Sequence, residues 1–465
     1  MKYDAIIIGS GQSGSPLSAA LADLGWTVAL IEERYLGGTC INTGCTPTKT
    51  IVHRAQVAHY ARNAERWGVI ARDAGVDLPK IVAQKDKVVL GFRGGKEKQF
   101  AKRPNLHLYR SHARFTGPHQ IAVDGATHES EKIFIDTGGR PHIPNVPGLV
   151  TSGYVTNETI LDLTVLPGHL IILGGGYIGL EFAQMFARFG SQVTVIHDSP
   201  QIVPHEDPEV SAELQKALEA EGLNFLLNAR TTAVERAGDA LVLSLEATST
   251  DPLGVTKTSA GAITGSHLLV ATGRTPSTGD LGLDKAGIET DAHGFIKVNG
   301  RLETNVPGVW ALGDVKGGPA FTHISYNDYQ IVYANIIEGE NLSIDHRIVP
   351  YCVYTDPELG RAGLTEKEAR AQGYKLKIGS APMSYVSRAI ERDETAGLMK
   401  LIVDATNDQI LGATCLGASG GEVVHIPYTL MLGKLPYTLL KGGVFIHPTM
   451  AEGLFFLFNA VKPVD

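Results

Sequence analysis

Two cysteines five residues apart, Cys40 and Cys45, sit in Gly37–Thr50, GGTCINTGCTPTKT, and are the residues of this chain best suited to two-electron chemistry. On a regular α-helix their Cα atoms would stand about 8 to 9 Å apart, beyond the roughly 7 Å limit for a disulfide. The backbone between them therefore cannot be regular helix, and Gly44 allows an irregular turn. Thr46 followed by Pro47 pairs a capping residue with a first-position proline, so a helix is expected to begin right after Cys45. A thiol at a helix N-terminus loses its proton more readily, and the thiolate is the form that attacks or is oxidised. The bland alternatives are a small stabilising disulfide or two unpaired buried thiols. Cys352 and Cys415 lie in apolar, strand-like stretches and read as buried small hydrophobes rather than a thiol relay.

What must position such a pair is legible in an internal duplication at an offset of 165 residues. Asp4–Glu33, DAIIIGSGQSGSPLSAALADLGWTVALIEE, matches His169–Asp198, HLIILGGGYIGLEFAQMFARFGSQVTVIHD. Each has a strand-length apolar run, a Gly-x-Gly-x-x-Gly turn, an amphipathic helical stretch, a Gly stop and a second β-branched strand. Gly9, Gly11 and Gly14 fall on Gly174, Gly176 and Gly179. In such a turn the first Gly permits the bend, the second lets a pyrophosphate approach the backbone, and the third packs helix on strand. The helix N-terminus then faces the anion. Two such units imply two dinucleotide sites, as a redox enzyme needs when one nucleotide hands electrons to another, which suggests a flavin and a nicotinamide. At the end of the first unit a carboxylate should accept hydrogen bonds from the adenosine ribose; Glu32 stands at the position, and Glu33 is read as the stronger candidate. The second unit has His197 there, followed by Asp198, which matches neither the carboxylate expected for NAD nor the Arg expected for NADP.

The chain has 465 residues, 49.7 kDa, with 43% hydrophobic and 19% charged residues, an ordinary globular composition long enough for about three domains. A net charge of −8 leaves no broad basic field for nucleic acid or an anionic bilayer, so neither partner is expected. Four cysteines are too few for a secreted disulfide framework. No export signal or membrane-length apolar run is read, and a cytoplasmic location is expected. Short strands from about Asn105 to Gly138 should return to the first unit and end in FIDTGGRP; LLVATGRTP, Leu268–Pro276, closes the second unit in the same manner. The last 120 or so residues lack the glycine fingerprint and read as a separate domain.

In GGTCINTGCTPTK, in the two glycine fingerprints, the ATG-like turns, the ALGD strand end and the C-terminal segment, the whole chain resembles the class I pyridine nucleotide-disulfide oxidoreductases. This is the family of dihydrolipoamide dehydrogenase, glutathione reductase and mercuric reductase. The resemblance implies an α/β fold of two Rossmann-like dinucleotide-binding domains plus a C-terminal α+β dimerisation domain. Residues 1–145 would be the first part of an FAD-binding domain, 146–270 an NAD(P)-binding domain, 271–344 the second part of the FAD-binding domain, and 345–465 the dimer interface. The cofactors would be FAD and NADPH or NADH, and the protein a homodimer.

Carried over by position, Cys45 resembles the flavin-proximal cysteine and Cys40 the interchange cysteine that meets the substrate. Lys49 resembles the lysine near the flavin N5, Glu181 its carboxylate partner, Tyr177 the aromatic gate over the nicotinamide pocket and Asp314 the ribityl-binding aspartate. Thr39, Thr137, Gly138 and Gly273 belong to the same nucleotide-facing turns. In FIHPTMAEGL, His447 resembles the base that enters from the other subunit, oriented by Glu452; imidazole suits proton transfer near neutral pH. The motif departs from the usual one at Thr46 and Thr48. The expected activity is electron transfer from NAD(P)H through a Cys40/Cys45 disulfide to a disulfide or related acceptor. A metal-ion reductase resembling mercuric reductase is the alternative, although the C-terminus FNAVKPVD lacks the cysteine pair that would pass a soft metal inward. A flavin-binding redox sensor with little turnover is a third reading.

Overall fold

A computed structural model describes residues 1–72, 74–250 and 256–464. The two glycine-fingerprint segments build the middle strands of two separate parallel sheets. In the first, the strands run in the order Val309–Ala311, Ile133–Ile135, Ala5–Ile8, Val28–Ile31, Leu106–Tyr109, all parallel. In the second the order is Asn224–Leu226, Gln192–Ile196, His169–Leu173, His267–Val270, again all parallel. Runs such as AIII and VALI are buried at every residue, because helices and loops cover both faces of a parallel sheet.

The duplication extends past the fingerprint. In each unit a three-stranded antiparallel meander is inserted before the parallel sheet is complete, Arg114–Gly117, Gln120–Val123 and Ala126–Glu129 in the first unit, Ala229–Ala237, Ala240–Thr250 and Thr256–Gly265 in the second. A short ribbon, Gly139–Pro141 antiparallel to Arg274–Pro276, ties the chain where it leaves the first unit to the chain where it comes back. The strand Val309–Ala311 then completes the first sheet.

Helices labelled in chain order carry the chemistry. They are α1 (Gly14–Asp23), α2 (Gly38–Asn42), α3 (Cys45–Arg62), α4 (Leu78–Ala101), α5 (Tyr177–Phe189) and α6 (Pro208–Ala220). The break between α2 and α3 is the irregular turn that the cysteine spacing requires. A Cβ on Gly44 would lie 2.9 Å from the Thr39 carbonyl oxygen, so the close approach admits only glycine. Helix α3 starts at Cys45 with Gly44 as its cap, slightly ahead of the expected Thr46 cap. Pro47 fits within the first turn, where a missing N–H costs nothing.

The C-terminal part is one six-stranded antiparallel sheet in the order Pro350–Val353, Glu358–Gly363, Ile410–Gly417, Leu398–Asp404, Leu376–Pro382, Lys462–Pro463. The helix Gly453–Asn459 packs on it through Leu454, Leu457 and Phe458, all at 0% exposure. Buried charge joins this sheet to the second unit. Arg361 meets Glu206 at 2.9 Å with both side chains 2% exposed, and Lys400 meets Asp207 at 3.0 Å. Among the described residues no helix is long and apolar enough to cross a membrane.

Candidate active site

A cavity of about 510 Å³ runs along the first sheet from the glycine turn to the cysteines and on to the start of α5. Its floor is the turn itself. A Cβ on Gly9 would lie 2.1 Å from the Asp136 carbonyl oxygen, and one on Gly14 would lie 2.1 Å from the Gly9 carbonyl, so strand, turn and helix close on one another there. Glu32, at the end of Val28–Ile31, accepts from the Ser10 amide at 3.0 Å and its hydroxyl at 2.7 Å. Glu33 turns the other way and pairs with His112 at 2.8 Å. Both carboxylates line the cavity, and Glu32, rather than the favoured Glu33, is the one fastened to the glycine turn.

At the other end, the Cys45 sulfur faces the open cavity, which makes the residue accessible although protein groups crowd it. The Cys45 thiol is pulled down to about 6, first by the hydrogen bond it shares with Cys40, then by Thr322 and the Lys49 charge, against burial and Glu181. The Thr322 Oγ1 stands 3.1 Å from its sulfur. The same bond and burial push Cys40 upward, so the pair is a thiolate at Cys45 beside a thiol at Cys40. Both cysteines are unpaired here, the reduced form of such a centre.

Lys49, one turn into α3, reaches Glu181 on α5 at 2.6 Å. Glu181 is 3% exposed and its other oxygen accepts from the Tyr354 amide at 3.0 Å. The Tyr354 ring lies under the Lys49 ammonium, 4.7 Å from centroid to nitrogen. A buried carboxylate so fully paired holds its partner's charge in one place, whereas losing either member would strand the other. Tyr177, first residue of α5, packs against Phe321 with ring centroids 5.7 Å apart, and burial pushes its hydroxyl up to about 12.

Asp314 lines the cavity beside Arg274 at 3.4 Å, with its carboxyl raised by burial and partly held down by that guanidinium. Thr39 and Gly138 line the same wall, where Thr137 is held by a bond to the Ser277 carbonyl at 2.9 Å. In the second unit Gly174 and Gly179 make the same close approaches, with Cβ positions 2.3 Å from the Ala271 oxygen and 2.1 Å from the Gly174 oxygen. A Cβ on Gly176 would meet nothing, nor would one on Gly273: the second glycine leaves room outside the protein. His197 lies over this turn. The residues present thus fit two extended dinucleotides, one in the cavity and one over the start of α5.

His447 and Glu452 are joined, Nδ1 to carboxylate at 2.9 Å, but on an exposed surface, with His447 62% exposed and outside the cavity. Cys415 is buried in the C-terminal sheet, its thiol pushed up to about 12 by burial. Cys352 departs from expectation: it is half-buried and lines the cavity, though burial pushes its thiol upward as well.

Two site residues escape sequence reasoning. Thr322 begins the helix Thr322–Tyr333, 277 residues from the sulfur it touches, with no local signal. Asp136, within FIDTGGRP, is a buried acid at the end of an apolar strand, and that mismatch was a signal. Its carboxyl accepts from the Gly14 amide at 2.7 Å and is raised well above the usual range by burial, with Asp314 and Asp328 adding to the effect against the Gly14 bond.

Comparison with known proteins agrees with this geometry. The model of the pyridine nucleotide-disulphide oxidoreductase family matches residues 3–328, and that of its dimerisation domain matches residues 349–455. The chain is 37% identical over 469 residues to the probable pyridine nucleotide-disulfide oxidoreductase RclA of Escherichia coli, covering 99% of this chain and 100% of that one. It is 38% identical to the dihydrolipoyl dehydrogenase of Thermus scotoductus, at 97% and 96% coverage, and 33% identical to a mercuric reductase of Lysinibacillus sphaericus, at 97% and 81%. A solved structure described as the Cu(II) complex of the HOCl-induced flavoprotein disulfide reductase RclA from Escherichia coli superimposes with a TM-score of 0.88 at 36% identity, covering 98% of this chain and 100% of that one. With a thiolate-bearing cysteine pair at the end of a nucleotide-sized cavity, the chain belongs to the pyridine nucleotide-disulphide oxidoreductase family, whose members depend on FAD and use pyridine nucleotides.

Proposed function

We propose that this oxidoreductase takes electrons from a nicotinamide nucleotide over α5, through a flavin in the cavity, to the Cys40/Cys45 disulfide, and then to a disulfide acceptor. A bound flavin would supply a ring able to accept hydride on one face and pass an electron pair on from the other. The chain's own residues do the rest. Glu32 would receive the adenosine ribose hydroxyls, the amides at the start of α1 the pyrophosphate and Asp314 the ribityl hydroxyls. The Lys49–Glu181 pair would hold a positive charge against the ring, and Tyr177 would close the nicotinamide side. Two electrons and one proton open the disulfide into the Cys45 thiolate and the Cys40 thiol. Cys40 would attack one acceptor sulfur, the other leaving with the Cys40 proton; the Cys45 thiolate would then attack Cys40, releasing the second sulfur as a thiolate that takes up one further proton, and restoring the disulfide.

The proton needs a carrier. His447, oriented by Glu452, would supply it across a homodimer interface, and the apolar surface around it supports that reading: Val444 is 102% exposed and Ile446 80%. The metal-ion alternative draws support from the Cu(II)-bound relative and the mercuric reductases, so cupric and mercuric ions belong in the same acceptor screen.

The observation that carries the proposal is the cluster of Cys45, Thr322, Lys49 and Glu181 at the cavity's end. In anaerobic titration with a nicotinamide nucleotide, the FAD-loaded protein should take up four electrons, and Cys45→Ser two, with loss of disulfide turnover. Wild-type turnover by Cys45→Ser would end the proposal.

A further inference from the structure

The second unit's adenosine end is unlike either standard solution. The strand Gln192–Ile196 runs on through His197, whose amide donates to the Leu226 carbonyl at 2.9 Å while its own carbonyl accepts from Ala229 at 2.9 Å. That ladder fixes the side chain over the glycine turn. A Cβ on Gly175 would lie 2.9 Å from His197 Cδ2, so the imidazole packs directly against the backbone of the glycine turn. Its Nδ1 is 3.4 Å from the Asp198 carboxylate, and its Nε2 is buried with no partner among the described residues. Burial lowers the imidazole, against Asp198, and leaves it neutral near pH 7. Asp198 itself is 79% exposed.

Among the described residues, no unpaired cation that would receive a 2′-phosphate follows the strand at this edge. No Lys or Arg occurs between Arg188 and Lys216. Arg188 is committed to Glu221 at 2.6 Å and Asp356 at 2.9 Å, and is buried. The next arginine in the chain, Arg230 on the meander strand Ala229–Ala237, is paired with Glu246 at 2.5 Å.

We infer that His197 and Asp198 select a nicotinamide nucleotide with a free adenosine ribose, NADH over NADPH. The inference rests on the nicotinamide reading of the second unit. The orphan His197 Nε2 would bond one ribose hydroxyl, and the Asp198 carboxylate would accept from the other. A 2′-phosphate would instead bring a dianion against Asp198 beside a neutral ring. A buried polar atom without a partner is costly, so a ligand that satisfies it gains specificity as well as affinity.

The test is calorimetric binding of ADP-ribose and 2′-phospho-ADP-ribose to the FAD-loaded protein, which needs no turnover. ADP-ribose should bind at least about tenfold tighter at low salt, the ratio narrowing as salt screens the like charges. Asp198→Arg should reduce that ratio by about tenfold or invert it, while His197→Ala should weaken ADP-ribose about fivefold through loss of one hydrogen bond. Equal or tighter binding of the phosphorylated compound by the wild type would overturn the inference and leave the nicotinamide site standing. If Arg230→Ala then abolished that binding, the phosphate would be assigned to Arg230. Binding of neither compound would overturn the nicotinamide reading itself.

Discussion

Cys45 owes its reactivity to neighbours drawn from two parts of the chain. The Cys40 thiol bonds it first, the Thr322 hydroxyl second, and the Lys49 charge adds to both, bringing the group to about 6. A depressed thiol is a thiolate above that value and a thiol below it, so the long-wavelength charge-transfer absorbance of the reduced, FAD-loaded protein should fade as pH falls through about 6. Thr322→Val removes the donor 3.1 Å from the sulfur and should shift that titration upward by about one pH unit, the equivalent of one hydrogen bond to a charged group. Thr322→Ser should restore it. A valine variant that titrates like the wild type would show that the hydroxyl only packs. Thr322 also marks the limit of reading one sequence. The Cys-x₄-Cys spacing and the Thr-Pro pair announce the turn and the helix start, whereas a contact spanning 277 residues exists only once the chain has returned to the first unit.

Helix starts are the working elements of both units, and their glycines divide by what lies opposite. Gly179 faces backbone 2.1 Å from its would-be Cβ, while Gly176 faces open space and has φ −80°, ψ 175°, which any residue adopts. Gly176→Val should therefore keep the wild-type melting temperature within a degree or two and lose ADP-ribose affinity by more than tenfold. Gly179→Ala should instead lower the melting temperature by several degrees, because helix and strand must part to admit the methyl. Thermal scans with and without ADP-ribose separate the two; a Gly176→Val protein that still binds would place the pyrophosphate elsewhere. Both fingerprints were plain in the sequence because spacing encodes them. The choice between Glu32 and Glu33 was not, since it turns on which carboxylate reaches Ser10 where the chain leaves the strand.

At the scale of the molecule, His447 stands apart from the cysteines of its own chain, on a surface lined by exposed Leu439, Val444 and Ile446. If the site is completed across a dimer, two dead variants should rescue one another. Cys45→Ser and His447→Ala homodimers should each lose most disulfide turnover, and subunits mixed by denaturation and refolding should regain about one quarter of wild-type activity, the share of intact sites that random pairing predicts. No recovery, with mixed dimers verified by mass, would confine each site to one chain. The resemblance of FIHPTMAEGL to the family's histidine segment suggested in the sequence a site shared between subunits; the separation of His447 from the cavity of its own chain was not legible there, because sequence order says nothing of which copy a residue serves.

The strand Val309–Ala311 fills the outer edge of a sheet whose other members lie before residue 136, with the whole second nucleotide unit strung between. Nascent chains thus cannot finish the flavin's berth early. About two thirds of the polypeptide must leave the ribosome first, so the domain begun earliest in translation is not the one completed earliest.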